Sequence, residues 1–212
     1  MNSITSFFKT NHHREYPKGQ ILLYQAEETN DVFFIDSGYV KVYDVTSNGE
    51  ERLLLILGPG DIYPVIWTFR ESDSLLYFYE SMTPVSVCVT KRKEVKQLID
   101  ENHEFTKVLL YHFVTRIKEL SLRVECVEAT NARHKIIQVL DYLRNAHPGD
   151  SSKGFVTIPI PLTHQNIANM AGLSRETASI CLKNLEDGGV WKASENFYSV
   201  DTAGLDKVLE EE

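Results

Sequence analysis

Cysteine, histidine in the first half of the chain, positive charge and long apolar runs are all scarce here, and each scarcity closes a route. Three cysteines, Cys88, Cys126 and Cys181, stand far apart and are odd in number. Neither a disulfide framework nor a paired-cysteine metal knuckle is expected from them. Each reads as a small buried apolar residue, which suits a reducing cytoplasm. No apolar run reaches the ~18–20 residues that a bilayer-spanning helix needs. The first residues, Met1-Asn2-Ser3-Ile4-Thr5-Ser6-Phe7-Phe8, lack the charged start and long apolar core of a secretory signal. A cytoplasmic protein without membrane attachment is the expectation.

No histidine occurs between Arg14 and Asn102. A barrel-type metalloenzyme needs two or three histidines and a carboxylate facing its interior, so that class is excluded. No nucleophile-and-base arrangement or phosphate-cradling loop is found either, and neither an enzyme nor a bound metal is expected. His12-His13 reads as an exposed tail pair and His112 as a helix-surface residue. Lys and Arg number 22 against 30 Asp and Glu, a formal charge of −8. That balance opposes non-specific binding to nucleic acid or anionic membrane. It permits a local basic face, because repulsion is screened beyond about 8–10 Å at ordinary salt.

What is present falls into three regions. From about Gly19 to Val89 short segments such as Gln20–Tyr24, Val32–Ile35 and Tyr39–Tyr43 are rich in β-branched and aromatic residues. Turn signals separate them: Asp36-Ser37-Gly38, Ser47-Asn48-Gly49 and Gly58-Pro59-Gly60-Asp61. This spacing predicts an antiparallel sandwich or jelly-roll barrel. Asn48-Gly49 predicts a tight hairpin in which both central residues adopt positive φ.

From about Lys91 to Glu128 there is no Gly or Pro. Leu110, Phe113, Ile117, Leu120, Val124 and Val127 recur at spacings of 3, 4, 3, 4, 3, a heptad seam. Val108, Leu109 and Val114 lie off that seam, where they can pack back on the barrel. A helix with two apolar faces needs two partners, and a second copy of the same helix is the natural second one. A single helix buried within a monomer is the alternative.

The third region, from about Ala129, reads as helix, short extended strands, helix, turn, helix and hairpin. Ile136, Val139, Leu140 and Leu143 stripe the first helix. Thr163 is placed to cap a helix over His164–Ala171, Gly172 to end it, and Ser174 to cap a second helix running to Asp187. This is helix-turn-helix spacing. On the second helix Ala178, Leu182 and Leu185 share one face, with Cys181 at its edge. Glu176, Ser179, Ile180 and Lys183 take the other, flanked by Arg175. Such a face suits the major groove. Arginine gives two bonds to guanine, glutamate accepts from amino groups, and a branched hydrocarbon meets a thymine methyl. A plain solvated face is the competing reading, against which the isolated exposed isoleucine argues. Glu210-Glu211-Glu212 reads as a solvated tail. From Thr130 onward 8 Lys and Arg stand against 11 Asp and Glu, a net of −3. Phosphate contacts should therefore be few and the base-reading share of affinity large.

Leu162-Thr163-His164-Gln165-Asn166-Ile167-Ala168 followed by Gly172-Leu173-Ser174-Arg175-Glu176-Thr177 resembles the helix-turn-helix of the CRP/FNR family, the cyclic-AMP receptor protein-like transcription regulators. The resemblance extends to Gly58-Pro59-Gly60-Asp61 and covers nearly the whole chain. It implies an α+β architecture: an N-terminal antiparallel β-roll like a cyclic-nucleotide-binding domain (residues 1–98), a long dimerisation helix (99–129) and a C-terminal winged helix-turn-helix (130–212). It further implies that Arg175, Glu176, Ser179 and Ile180 meet bases, Ser179 as a base or backbone contact. Thr163, His164, Gln165, Ser174, Lys183 and, from a wing over Val190–Val200, Lys192 would meet the DNA backbone. The expected partners are double-stranded DNA, a second copy of the chain and, for an activator, RNA polymerase.

Two departures stand out. Five residues after the first reading arginine the family usually has a second arginine that reads guanine; here Ile180 stands there. The half-site should then prefer thymine at that base pair or be degenerate. In the β-roll, Val65 takes the place of the glutamate that holds a cyclic nucleotide's ribose. Leu75-Leu76 takes the place of the Arg-Ser or Arg-Thr pair that neutralises its phosphate. A buried phosphate without a cation is costly, so cyclic AMP or cyclic GMP in the usual mode is not expected. No clustered cysteines near the N-terminus support an iron–sulfur centre, and no histidine a haem. Tyr63, Val65, Trp67, Leu75, Tyr77 and Tyr79 either fill the roll or line a cavity for an aromatic or apolar effector of unknown identity, with no other cofactor expected. A signal there would re-angle the Leu110–Val127 helix pair and so respace the recognition helices. The competing function is a ligand-binding module that signals to a protein partner without specific DNA binding.

Overall fold

The computed structural model describes residues 7–8, 12–64, 74–129, 131–194 and 197–211, apart from the side chains of Arg123, Val127 and Glu211. The chain divides into two compact units, 1–115 and 116–212.

Among the described residues the first unit holds eight strands: β1 His12–Tyr16, β2 Ile21–Leu23, β3 Asp31–Ser37, β4 Val40–Val45, β5 Glu51–Leu57, β6 Ile62–Tyr63, β7 Phe78–Ser81 and β8 Val85–Lys91. They form two four-stranded antiparallel sheets ordered β1-β8-β3-β6 and β2-β7-β4-β5, as the alternating pattern requires. Leu23, Phe33, Ile35, Val40, Val42, Val85 and Val87 make one core between them. Phe34, Val32, Cys88 and Ile62, on the other faces of their strands, join a second core with Phe8, Val95, Phe105 and Leu109. His12 and His13 belong to β1, paired with Val89 and Cys88; they are edge-strand residues, not a tail.

The Asn48-Gly49 hairpin forms, with Val45 opposite Glu51. Its turn differs from the expected one: Gly49 has φ +81 and Asn48 does not share the left-handed region. The Thr46 hydroxyl accepts from the Glu50 amide and its backbone pairs with Gly49 and Glu50, so a longer loop replaces the two-residue turn. Gly58-Pro59-Gly60-Asp61 is closed by the buried Asp61 carboxylate, which accepts from the Gly58 amide at 2.7 Å. The turn is pinned to β3 by two 2.9 Å bonds, Gly60 amide to Ile35 carbonyl and Ile35 amide to Asp61 carbonyl.

Gly38 joins β3 to β4 at φ +87, and a Cβ there would stand 2.3 Å from the Pro84 carbonyl oxygen and 2.9 Å from Val85 Cα. Both are backbone atoms, so neither can swing aside. Gly38→Ala is expected to destabilise the protein by about 2–3 kcal/mol, measured as a lower denaturant midpoint; an unchanged midpoint would refute the steric reading.

The Gly- and Pro-free stretch is not one helix. α1 spans Arg92–Glu101 and α2 His103–Glu128, so the long helix starts at residue 103 and not at 99. Asn102 breaks them with extended backbone, and its side chain accepts from the Phe105 amide to start α2. Leu109 and Val108 pack toward the second core as expected, and Phe113 joins them. The heptad spacing places Phe113 in the seam, and the structure shows it partly buried against this core. Val114, assigned to the barrel side, is exposed instead, with Leu110, Ile117, Leu120 and Val124. His112 is no surface residue: its side chain is mostly buried, with Nδ1 3.9 Å from Asp61 Oδ1.

The second unit continues with α3 Ala132–Ala146, β9 Ser151–Ser152, β10 Phe155–Ile158, α4 His164–Ala171, α5 Arg175–Asp187, β11 Trp191–Ala193, β12 Tyr198–Asp201 and α6 Thr202–Glu211. Ile136, Val139, Leu140 and Leu143 of α3 are fully buried, as their stripe predicts. The sheet runs β11-β12-β10-β9, and β11–β12 is the expected wing. Glu210, which the sequence places in a solvated tail, lies inside α6. Leu205 on α6 is buried, and Arg144 of α3 pairs with Asp206 and with Asp141 at 2.7 Å.

Candidate nucleic-acid interface

The two helices of the motif are defined by caps that the sequence writes locally. Thr163 Oγ1 accepts from the Asn166 amide at 3.1 Å, while Asn166 Oδ1 accepts back from the Thr163 amide at 2.9 Å, a reciprocal capping box. Gly172 ends α4 at φ 64 and ψ 40, and the Leu173 amide reaches back to the Ala168 carbonyl at 3.0 Å. Only a residue without Cβ takes that conformation freely. Ser174 then caps α5 by accepting from the Thr177 amide at 3.2 Å.

One face of each helix is locked. Ile167, Ala168 and Met170 of α4 and Ala178, Leu182 and Leu185 of α5 are buried. Trp191 is fully buried and stacks on Tyr198 within the wing at 4.3 Å, while the Val190 amide donates to the Leu185 carbonyl of α5 at 2.9 Å and ties the wing to the helix pair. With that face fixed, the other has to look outward. Arg175, Glu176, Ile180 and Lys183 are all exposed, Ile180 at 64%. The Glu176 carboxyl is held below the usual carboxylate range, chiefly by its own backbone N–H and then by the Ser174 hydroxyl, with Arg175 adding to the effect. The shift favours its charged, hydrogen-bond-accepting form.

The remaining residues of the site occupy distinct positions. Ser174 and Gln165 are exposed, with Gln165 donating to Asn169 at 2.6 Å. Thr163 is exposed as the cap of α4. Lys192 lies with its ammonium 4.0 Å over the Phe155 ring, a cation–π contact it must exchange or share to reach a phosphate. Ser179 differs from its neighbours: its hydroxyl is 2.9 Å from Nδ1 of His164 and is turned toward α4. That pairing and the Lys192–Phe155 contact were invisible in the sequence, since each joins elements with no shared periodicity. Cys181 is only half-buried, consistent with its edge position.

In the β-roll, Tyr63, Leu75 and Tyr79 are buried in the inter-sheet core and Tyr77 packs against it. Val65 and Trp67 lie outside the described residues. Phe33, Tyr63 and Tyr79 stack as a continuous column, at 5.3 and 5.2 Å with interplanar angles of 15° and 14°. Burial pushes the Tyr63 phenol well above its ordinary pKa, and among the described residues its hydroxyl has no hydrogen-bond partner. No helix among the described residues is long and apolar enough to cross a membrane.

A ligand-domain-like β-roll, a long helix and a winged helix-turn-helix define a DNA-binding transcription regulator. The sequence matches two family models, the cyclic nucleotide-binding domain over residues 13–102 and the Crp-like helix-turn-helix domain over residues 134–208. The cAMP-activated global transcriptional regulator CRP of Haemophilus influenzae is 26% identical over 190 residues, covering 87% of this chain and 82% of that protein. In fold, FixK2 of Bradyrhizobium japonicum superposes with a TM-score of 0.77 at 18% identity, over 92% of this chain and 96% of that one. A CooA variant of Carboxydothermus hydrogenoformans gives 0.76 at 21% identity, over 96% and 89%. The chain belongs to the CRP/FNR family of transcription regulators.

Proposed function

We propose that the protein is a homodimeric, non-catalytic regulator that reads an inverted-repeat DNA site and answers to a signal other than cyclic AMP. The observation that carries this reading is the outward face of α5. Arg175, Glu176, Ile180 and Lys183 are presented to solvent by a helix whose opposite side is buried. Arg175 and Glu176 supply hydrogen bonds for base edges, Ile180 an apolar contact and Lys183 a phosphate charge. Thr163, Gln165, Ser174 and Lys192 surround them as backbone contacts. The half-sites of a two-fold dimer lie about one helical turn apart, in successive major grooves. An activator of this kind would also engage RNA polymerase.

Selection of duplexes from a random pool by the ligand-free protein tests the reading. Enrichment of an inverted repeat is expected, and no enrichment with or without an effector library would favour the protein-signalling alternative. Ile180→Arg is expected to move the preference at one symmetric base pair to guanine, by a discrimination of about 1–3 kcal/mol per half-site. The same selection on the variant checks this, and an unchanged base preference would sink the assignment of Ile180.

The H. influenzae relative is named as cAMP-activated. Against the same ligand here stands the chemistry of the roll. Leu75, which by resemblance takes the place of the arginine that would neutralise a phosphate, is buried among apolar side chains. The effector, if small, is apolar or aromatic, and its binding would change the angle between paired α2 helices. Saturating cyclic AMP is expected to leave DNA affinity unchanged; a tightening of tenfold or more would refute this.

A further inference from the structure

Ser179 stands in the middle of the reading face but spends its hydroxyl elsewhere. Its Oγ lies 2.9 Å from Nδ1 of His164, fifteen residues earlier on α4. Two other helical hydroxyls bond back to their own helix, Thr115 to the Tyr111 carbonyl at 3.0 Å and Ser121 to the Ile117 carbonyl at 3.1 Å. Ser179 makes no such bond among the described residues. His164 is the first residue of α4, half-buried, with its ring 6.4 Å from that of the fully buried Trp191. Its Nε2 has no hydrogen-bond partner among the described residues.

In an uncharged imidazole one nitrogen carries the proton and the other accepts. If the Ser179 hydroxyl donates to Nδ1, the proton is on Nε2, at the free end of the ring. If the bond runs the other way, Nε2 offers a lone pair. The free end sits at a helix N-terminus, where backbone amides and the helix dipole favour an anion. A DNA phosphate has only acceptor oxygens, so just one of the two tautomers serves it.

We propose that Ser179 and His164 form one device: Ser179 donates to Nδ1 and thereby holds a proton on Nε2 for a backbone phosphate. Ser179 is then a positioning residue and not a base reader, and base reading rests on Arg175, Glu176 and Ile180. This builds on the DNA-binding reading above. The device also fixes the pitch of α5 against α4, because a displaced recognition helix would break the bond that orients the phosphate donor.

Two measurements on the full-length protein test it. Nitrogen NMR of the His164 ring, at a pH where it is uncharged, is expected to show the Nε2–H tautomer, with Ser179→Ala relaxing it to a mixture. A Nδ1–H tautomer in the unmutated protein would overturn the proposal. Affinities are then measured for the selected duplex and for each of its single-base variants. His164→Ala should weaken binding about tenfold and Ser179→Ala only about two- to fourfold, the cost of sampling both tautomers at two half-sites, each by one factor on every duplex and with an unchanged salt slope since no charge is lost. The double variant should be no weaker than His164→Ala, and Ser179→Thr, which keeps the donor, should bind like the parent. A base-specific effect of Ser179→Ala, or losses that multiply in the double variant, would overturn the device while leaving the DNA-binding reading standing. An unmutated protein that selects no duplex would remove both.

Discussion

Replacing Arg175 with alanine is expected to weaken binding to the selected DNA site sharply and to abolish selectivity at one symmetric base pair, while leaving the fold untouched. The residue is exposed at the first turn of α5 and makes no described hydrogen bond or ion pair within the chain, so its removal opens no cavity and strands no partner. A bidentate arginine contact to guanine supplies about 1–3 kcal/mol of discrimination. Two-fold symmetry doubles the loss to about 2–6 kcal/mol, roughly 30-fold to more than 10⁴-fold in affinity for the selected site. Lysine should not rescue, because it cannot present the planar fork. The diagnostic is the profile across single-base variants. Arg175→Ala should flatten it at one symmetric base pair, whereas Lys183→Ala should lower every duplex alike and reduce the salt slope by about 0.9 per protomer. A retained profile for Arg175→Ala, with a normal melting temperature, would remove Arg175 from the reading face.

That helix-turn-helix was legible because its punctuation is local. Thr163 with Asn166, Gly172, and Ser174 with Thr177 act over three or four residues, and each cap does what its residue type requires. Fixing both ends of α5 fixes which side is buried, so Ala178, Leu182 and Leu185 determine where Arg175 and Ile180 point. The roll was legible in class for a similar reason, through strand alternation and turn signals. Its detail was not. Residues between Asn48 and Glu51 compete through side-chain bonds from Thr46, which no dipeptide preference contains.

Weak local signals and long-range packing account for the other differences. Asn102 carries no signal as strong as Gly or Pro, yet its side chain takes the Phe105 amide and sets the start of the long helix at residue 103. Adjacent residues on a helix differ by about 100°, so a heptad reading can trade one neighbour for the next. Phe113 and Val114 exchanged places in this way. A large ring can be buried against the Phe105–Leu109 core, and that preference depends on the sheet surface beneath it. The His164–Ser179 contact lies further still from sequence logic. It exists because two helices cross where the first residue of one meets the fifth residue of the other.

The exchange alters where the dimer should be cut. The exposed stripe on α2 is Leu110, Val114, Ile117 and Val124, at 62%, 56%, 63% and 57% exposure, with Leu120 beside it. Their spacings of 4, 3 and 7 keep the heptad period once Ser121 is included. Four large apolar side chains in one line have no use for water, and a second copy burying them would gain roughly 10 kcal/mol from the eight side chains, enough to offset the cost of association. Ile117→Glu should undo this without harm to the protomer, because the side chain already faces solvent there. Symmetry places two like charges together in the seam. Sedimentation is expected to shift from dimer to monomer, with an unchanged melting curve for each compact unit. Affinity for the inverted repeat should fall at least about 100-fold, to the level of a single half-site, as the second recognition helix loses its tether. Phe113→Ala should behave oppositely, lowering stability by about 3 kcal/mol while the seam persists. If Ile117→Glu remains dimeric and Phe113→Ala dissociates, the seam runs through Phe113 after all, and the exposed stripe belongs to some other partner.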